Sequence, residues 1–316
     1  MGDGHGDLKD RIAILKKSQN AVIFAHNYGI DEGQDVADFV GDSLELVQRT
    51  AETEADVVVL CAVHCIVETA AVACPHKTIL MPVPNAACPM ANMITAEDLR
   101  AEKEQHPGAA VVCYLNSSAE VKAESDICCT AENAGAVVNS LGDGREIMFV
   151  PDQYLGEYVA RQTGRNLILW PGYCPTHSKI MPEDIARLKA DHPAAKVVVH
   201  PECSPATRAL ADAVLNTGDI VRFARETDAH EVIVGTDTGI LHRLRKENPG
   251  KVFFPASELA RCGKMKLTTL ENILWSLEDT TNRIEVRGET LAKAKRAVDR
   301  MLEVVGYAQG QRWPGA

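Results

Sequence analysis

The stretch that decides the fold occurs three times in the chain, as Ala21-Val-Ile-Phe-Ala-His-Asn-Tyr28, Ala109-Ala-Val-Val-Cys-Tyr-Leu-Asn116 and Ala195-Lys-Val-Val-Val-His-Pro-Glu202. The copies begin at residues 21, 109 and 195, so they lie 88 and 86 residues apart. Each copy is an apolar, largely β-branched run that ends in polar residues, which is typical of a buried parallel strand. Two further strand patterns return with the same period, at 56–64, 146–152 and 231–237 and at 77–81, 166–170 and 251–254.

Amphipathic segments separate these strands, so each unit is predicted to run strand, helix, strand, helix, strand over about 87 residues. That length suits a small α/β domain. We therefore expect three pseudo-threefold-related α/β/α domains, each with a short parallel sheet, around a central site. The expected bounds are 1–104, 105–190 and 191–285, followed by a C-terminal helix and tail at 286–316. Helix starts are predicted at the cap-forming residues Asp42/Ser43, Thr130 and Asn216/Thr217.

The composition indicates a globular protein and excludes several kinds of partner. With 46% hydrophobic and 24% charged residues, the chain is neither disordered nor fibrous. It carries 33 basic and 44 acidic residues, a net charge of −11, and no basic run, so nucleic acid is not expected as a partner. No apolar run approaches the ~18 residues of a spanning helix, and residues 1–10 are too polar for a signal peptide. We predict no membrane partner and a cytoplasmic location.

The repeat gathers polar residues at the carboxyl ends of the predicted strands. Ligands of parallel α/β units bind outside those ends and at the neighbouring helix N-termini. Applying the 88- and 86-residue offsets therefore predicts which side chains meet at the centre. The matched sets are His26 with Tyr114 and His200, Tyr28 with Asn116 and Glu202, Ser43 with Ala131 and Thr217, and Cys88 with Cys174 and Cys262.

The last of these sets predicts a metal centre. Cys88, Cys174 and Cys262 each follow the third strand of a unit in a loop that contains proline or glycine. Three thiolates without a fourth suit a metal centre with one open position, and their softness favours iron–sulfur or zinc. A zinc site completed by His177 is the competing ligand set. The chain contains no Cys-x-x-Cys pair, and we expect the other cysteines, Cys61, Cys65, Cys74, Cys113, Cys128, Cys129 and Cys203, to be structural.

Acid–base chemistry is predicted at the same centre. Glu202 is the only carboxylate in the ring of first-strand ends and is therefore the natural general acid or base. Ser43 lies in Gly-Asp-Ser-Leu, but no strand and tight turn would present it as a nucleophile. We instead expect its hydroxyl to bind an anionic ligand together with a helix N-terminus.

These residues resemble the quinolinate synthase family, in colinear order from about residue 20 to residue 303. The combination of His-Pro-Glu-Cys with three widely separated cysteines is specific. The strings that carry the resemblance are Ala25-His-Asn-Tyr28, Gly41-Asp-Ser-Leu44, Glu68-Thr-Ala70, Cys88-Pro-Met-Ala91, Lys122-Ala123, Asn133-Ala134, Pro151-Asp152, Gly172-Tyr-Cys-Pro-Thr-His177, His200-Pro-Glu-Cys203 and Cys262-Gly-Lys-Met-Lys266.

The resemblance implies a 4Fe–4S cluster held by Cys88, Cys174 and Cys262, with the fourth iron open to substrate. It implies that iminoaspartate condenses with dihydroxyacetone phosphate to give quinolinate for NAD biosynthesis, with loss of phosphate and two waters. It also implies a functional link to an aspartate-oxidising enzyme and to a quinolinate phosphoribosyltransferase. The implied roles are acid–base catalysis for Glu202, His200 and Tyr28, and substrate binding for His26, Tyr114, Asn116, Ser43 and Thr217.

The sequence departs from the family pattern at four positions. Ala131 and Asn216 stand where serine is usual, Asp237 replaces a glutamate, and Gly29 replaces a common glutamine. Loss of the hydroxyl at Ala131 is expected to weaken anion binding by about 1–2 kcal/mol if no water replaces it. Two alternatives therefore stay open, namely a paralogue with the same fold and cluster that acts on another small acid, and a cluster-based redox or iron sensor.

Overall fold

The computed structural model describes residues 3–304 and 306, which form three four-stranded parallel sheets with helices packed around them. The first sheet contains β1 (Ala21–His26), β2 (Phe39–Gly41), β3 (Val57–Cys61) and β4 (Thr78–Leu80). The second contains β5 (Ala110–Tyr114), β6 (Ile127–Cys129), β7 (Ile147–Val150) and β8 (Leu167–Leu169). The third contains β9 (Lys196–Val199), β10 (Ala213–Val214), β11 (Glu231–Gly235) and β12 (Val252–Pro255). Their orders, β2-β1-β3-β4, β6-β5-β7-β8 and β10-β9-β11-β12, are identical. The predicted α/β fold of three repeated units is confirmed.

The helices of the first unit are α1 (Asp3–Ser18), α2 (Asp31–Val36), α3 (Ser43–Glu52), α4 (His64–Ala73) and α5 (Ala96–Gln105). Those of the second are α6 (Ala119–Ala123), α7 (Ala134–Ser140), α8 (Gln153–Thr163) and α9 (Pro182–Asp191). The helices that follow are α10 (Pro205–Arg208), α11 (Thr217–Glu226), α12 (Ile240–Glu247), α13 (Leu270–Asp279) and α14 (Gly288–Val304). Short 3₁₀ turns occur at Ala91–Met93 and His177–Lys179. Within the described range, no helix is both long and apolar enough to cross a membrane.

Each sheet contains one strand more than the sequence predicts, namely β2, β6 or β10, which have only two or three residues. A run that short cannot show the alternation by which a strand is recognised, whereas the equally short β4 and β8 lie in longer, largely apolar runs at 77–81 and 166–170. The edge strands are instead marked by an aspartate that precedes each of them. Asp38, Asp126 and Asp212 each accept a hydrogen bond at 2.8 Å from a backbone N–H of the central strand, that of Ile23, Val111 and Val197 respectively. These three aspartates are 88 and 86 residues apart, the same spacing as the three sequence repeats.

Two of the three predicted helix starts are correct. Asp42 caps α3 in a capping box with Glu45, and the side chain of Asn216 caps α11. The predicted start at Thr130 is wrong, because α7 begins at Ala134. Oδ1 of Asn133 accepts the N–H of Thr130 at 2.7 Å, which closes a turn ahead of the helix.

The segments after the third sheet return to the other two units. Leu270, Ile273 and Leu277 of α13 pack with Ile12 in the core of the first unit. The predicted C-terminal helix is present as α14, which buries Ala294, Ala297, Val298 and Met301 against the second unit. Val305 and the tail at 307–316 lie outside the described residues. The domain bounds proposed from the sequence remain predictions.

Candidate active site

One cavity lies where the three units meet, at the carboxyl ends of the central strands, and contains about 520 Å³ of space free of protein atoms, part of it open to solvent. All eleven residues that the sequence nominates line it, namely His26, Tyr28, Ser43, Cys88, Tyr114, Asn116, Cys174, His200, Glu202, Thr217 and Cys262. Their individual roles remain predictions.

The first-strand ends of units one and three have the same local geometry. Nδ1 of His26 accepts the N–H of Tyr28 at 3.1 Å, and Nδ1 of His200 accepts the N–H of Glu202 at 3.3 Å. In each case the contact leaves Nε2 as the nitrogen that carries the proton. Burial, assisted by Lys266 beside His26 and by His177 beside His200, lowers the pKa of each imidazole to about 3. Both rings are therefore neutral hydrogen-bond donors at neutral pH.

Glu202 is the ionised group of the cavity. Its Oε1 accepts the hydroxyl of Tyr114 at 2.6 Å, and its Oε2 lies 2.7 Å from Nδ1 of His177 and 4.0 Å from Nδ1 of His200. Burial alone would raise the pKa of Glu202, but its close contact with His177, the largest opposing cause, brings that pKa below its usual range, and the hydrogen bond from Tyr114 acts in the same direction. A buried carboxylate held ionised in this way can accept a proton from a bound substrate.

The network is completed by Thr236, which the sequence does not nominate, and by His177, which the sequence nominates only as the ligand that would complete a zinc site. The hydroxyl of Thr236 contacts the hydroxyl of Tyr28 and lies 2.8 Å from Nε2 of His177, so a chain of polar contacts joins Tyr28 to Glu202 across the units. Burial raises the pKa of Tyr28 well above its usual value, which keeps the phenol protonated. The sequence offers little that would identify these two residues as part of the network. Thr236 directly follows β11, a strand of the third unit, and His177 is three residues after Cys174.

The loop that carries Cys262 is fixed by a buried ion pair. Oδ2 of Asp237 accepts the N–H of Cys262 at 2.5 Å, and its Oδ1 lies 2.6 Å from Nζ of Lys266. Lys266 also donates to the backbone carbonyl of Tyr28. Asp237, one of the departures from the family pattern, therefore connects a cavity cysteine to the tyrosine of another unit.

The three cavity cysteines form a donor set that fits an iron–sulfur cluster. All ten cysteines lie in the described range and none is in a disulfide. Burial is the largest cause that raises the pKa of Cys174 and Cys262, and the neighbouring Cys88 thiol adds to both. Three soft sulfurs brought together from three units, with no fourth cysteine on the cavity wall, leave one coordination position to a non-protein ligand.

Ala131 lies in a smaller cavity beside the main one. The two cavities share Ser43, Tyr114, His200 and Thr217, and Thr130 and Ala131 form part of the outer wall. Among the described residues the buried Oγ1 of Thr130 has no hydrogen-bond partner. A hydroxyl donor is thus present one position before Ala131, where the family's serine is missing.

Comparison with known proteins agrees with this geometry. The family described as "Quinolinate synthetase A protein" matches residues 10–303. A protein named "Quinolinate synthase" from Dehalococcoides mccartyi strain CBDB1 is 55% identical over 298 residues, which cover 94% of this chain and 98% of the relative. Proteins of the same name from Methanoregula boonei and Geobacter metallireducens are each 50% identical, over 93% and 94% of this chain and 97% of each relative.

Proposed function

Because the chain belongs to the family of quinolinate synthetase A proteins, we propose that it condenses iminoaspartate with dihydroxyacetone phosphate to form quinolinate in de novo NAD biosynthesis. The reaction releases phosphate and two waters. One observation carries the proposal: Glu202, the neutral histidines His26 and His200, and one cysteine from each unit all line the same cavity. The chain is similar to quinolinate synthases over nearly its whole length, which supports the same assignment.

Cys88, Cys174 and Cys262 are the proposed ligands of a 4Fe–4S cluster. A bound cluster with one iron free of protein ligands supplies a Lewis acid that polarises a substrate oxygen for loss of water. The donor chemistry of the cavity wall supports this cofactor, since the three thiols are soft and come one from each unit.

The protein's own residues supply proton transfer and substrate binding. Glu202 accepts protons during condensation and enolisation and returns them during dehydration. Tyr28 and His200 line the same cavity and, being neutral at neutral pH, assist these transfers by donating hydrogen bonds to the reacting atoms. The remaining nominated residues bind the carboxylates and phosphate of the substrates. They are His26, Tyr114, Asn116 and the helix-start hydroxyls of Ser43 and Thr217.

The experiment that tests the function uses anaerobic protein in which the cluster has been reconstituted. The protein is incubated with oxaloacetate, ammonia and dihydroxyacetone phosphate, and quinolinate is measured by mass spectrometry. We expect quinolinate to form only when all components are present. Protein with full iron and sulfide content that makes no quinolinate would refute the proposal.

The chemistry of the reaction places the protein between two other enzymes. An aspartate-oxidising enzyme supplies the unstable imine, and a quinolinate phosphoribosyltransferase consumes the product. We propose that the protein is located in the cytoplasm. The proposal is supported by the ten cysteines, none of which forms a disulfide.

A further inference from the structure

A second set of metal-ligating atoms lies on one side of the cavity. Three atoms lie within 4.8 Å of one another, namely Sγ of Cys174, a ring nitrogen of His177 and a carboxylate oxygen of Glu202. Cys174 and His177 belong to one turn of chain with Cys-x-x-His spacing, and Glu202 follows β9 in the third unit. This set shares Cys174 with the proposed cluster ligands but contains neither Cys88 nor Cys262.

One ring nitrogen of this histidine faces the carboxylate of the same set. His177 is 2% exposed, and its Nδ1 lies 2.7 Å from Oε2 of Glu202, a close polar contact without the geometry of a hydrogen bond. A ring nitrogen and a carboxylate oxygen at this separation can both face one cation. The opposite nitrogen, Nε2, lies 2.8 Å from Oγ1 of Thr236. Such an outer contact is what orients a metal-binding imidazole.

We propose that the protein, when it holds no cluster, binds one zinc ion through Cys174, His177 and Glu202. Zinc accepts one sulfur, one nitrogen and one oxygen ligand, and sites with three protein ligands keep the fourth position for water. The two ligands of the Cys-x-x-His turn are already close together, so little chain has to be ordered when the ion binds. Thiol protonation is coupled to binding, since the thiolate is the ligand.

Zinc and the cluster cannot occupy the cavity together, because both require Cys174. A bound zinc ion also occupies Glu202, the proposed acid–base residue. This competition rests on the proposed function, whereas the zinc site itself depends only on the three side chains. Zinc bound here would therefore hold the protein in an inactive form until the ion is removed.

The test uses full-length protein that has been freed of iron, sulfide and zinc under anaerobic conditions. Zinc is titrated in competition with a chromophoric chelator, and cobalt(II) is used as a second probe because its visible spectrum reports thiolate ligation. We expect one zinc per chain and a cobalt spectrum of a single thiolate. Cys174→Ser, His177→Gln and Glu202→Gln should each weaken zinc binding at least about tenfold, the loss that removal of even an outer-shell partner can produce.

Cys88→Ser and Cys262→Ser are the matched controls, because they remove proposed cluster ligands but leave the zinc set whole. They should retain the zinc affinity of the unmodified protein. Equal loss of zinc affinity in Cys88→Ser and Cys174→Ser would overturn the proposal and place the ion among the three cysteines. Unchanged affinity in both His177→Gln and Glu202→Gln would also overturn it. Glu202→Gln preserves side-chain shape, and a far-UV circular dichroism spectrum confirms that each variant is folded.

A second measurement separates the zinc site from the proposed function. Protein preloaded with one equivalent of zinc should take up iron and sulfide more slowly than metal-free protein, and a chelator should restore the rate. One zinc bound through this set without any effect on cluster uptake would contradict the competition and leave the site intact. A protein that binds zinc here but makes no quinolinate after full cluster assembly would refute only the proposed function.

Discussion

At the scale of single residues, divergence among equivalent positions produces the chemistry of the cavity. The triplicated backbone offers three similar strand ends, and these carry histidine, tyrosine and histidine, then tyrosine, asparagine and glutamate. His26 and His200 keep the same internal hydrogen bond, so both are neutral, while Glu202 alone among the six is ionised. Groups whose environments drive their pKa values apart can divide the roles of acid and base.

Glu202→Gln should therefore retain the cluster and lose turnover by a factor of about 10²–10⁴, the usual contribution of a general acid or base. The amide keeps the shape of the side chain but cannot accept a proton. Quinolinate formation rates and iron and sulfide contents check the two halves of this prediction. The exposed Glu54 offers a matched control, and Glu54→Gln should keep the original rate. Normal turnover in Glu202→Gln would remove this residue from the mechanism.

Removing one partner of the ion pair of Asp237 and Lys266 should destabilise the protein, because the other charge is then buried without a counter-charge. Asp237 is fully buried, and the side chain of Lys266 is 9% exposed. Lys266→Met leaves the carboxylate without its counter-charge and should lower the free energy of unfolding by about 3–5 kcal/mol. Urea unfolding of the metal-free protein measures this loss.

A double-mutant cycle provides the control for the same pair. Asp237→Asn combined with Lys266→Met removes both charges, so it should cost less than the sum of the two single changes. Strict additivity of the three unfolding free energies would show that the two side chains do not interact.

At the scale of helices and strands, the sequence predicted what its periodicity can report. Nine of the twelve strands and the caps Asp42 and Asn216 follow from apolar runs and cap-forming residues. The edge strands β2, β6 and β10 could not be predicted, because two or three residues carry no period and no longer apolar run surrounds them. The start at Thr130 was wrong because the chain first forms a turn, closed by the side chain of Asn133 on the Thr130 N–H, and enters the helix only at Ala134.

The repeated edge aspartate gives a prediction at this scale. Asp126→Ala removes the acceptor of the Val111 N–H and should lower the free energy of unfolding by about 1–3 kcal/mol, the cost of an unsatisfied backbone donor. Asp38→Ala and Asp212→Ala should show similar losses, because their contacts are equivalent. Chemical denaturation measures all three.

Asp143 is the matched control for this series, since its side chain is fully exposed and its one ion pair lies at the surface. Asp143→Ala should change stability by no more than about 0.5 kcal/mol. If Asp126→Ala were indistinguishable from it, the edge aspartates would have no part in holding the sheets.

At the scale of the whole molecule, the active site exists only because the three units dock against one another. The chain of contacts from Tyr28 through Thr236 and His177 to Glu202 joins residues of all three units. A repeat in the sequence predicts that equivalent side chains meet at the centre, and the eleven nominated residues line one cavity, whereas Ala131 lines the smaller cavity beside it. It cannot predict contacts between non-equivalent residues such as Thr236 and His177, because these depend on the relative orientation of the units. The return of α13 and α14 to earlier units was unpredictable for the same reason.

The metal-free protein is expected to fold whether or not the metal centre can assemble. Cys174 lies on the cavity wall and packs, only partly buried, against the edge of the second unit's core, which is built mainly from fully buried side chains. Cys174→Ala should therefore abolish cluster retention, measured as iron and sulfide per chain, while the metal-free protein keeps its unfolding free energy. Cys61→Ala is the control, because Cys61 is buried in β3 away from the cavity and its loss should leave the cluster in place. Unfolding of the Cys174→Ala protein under conditions where the metal-free parent is folded would mean that this thiol also stabilises the junction of the units.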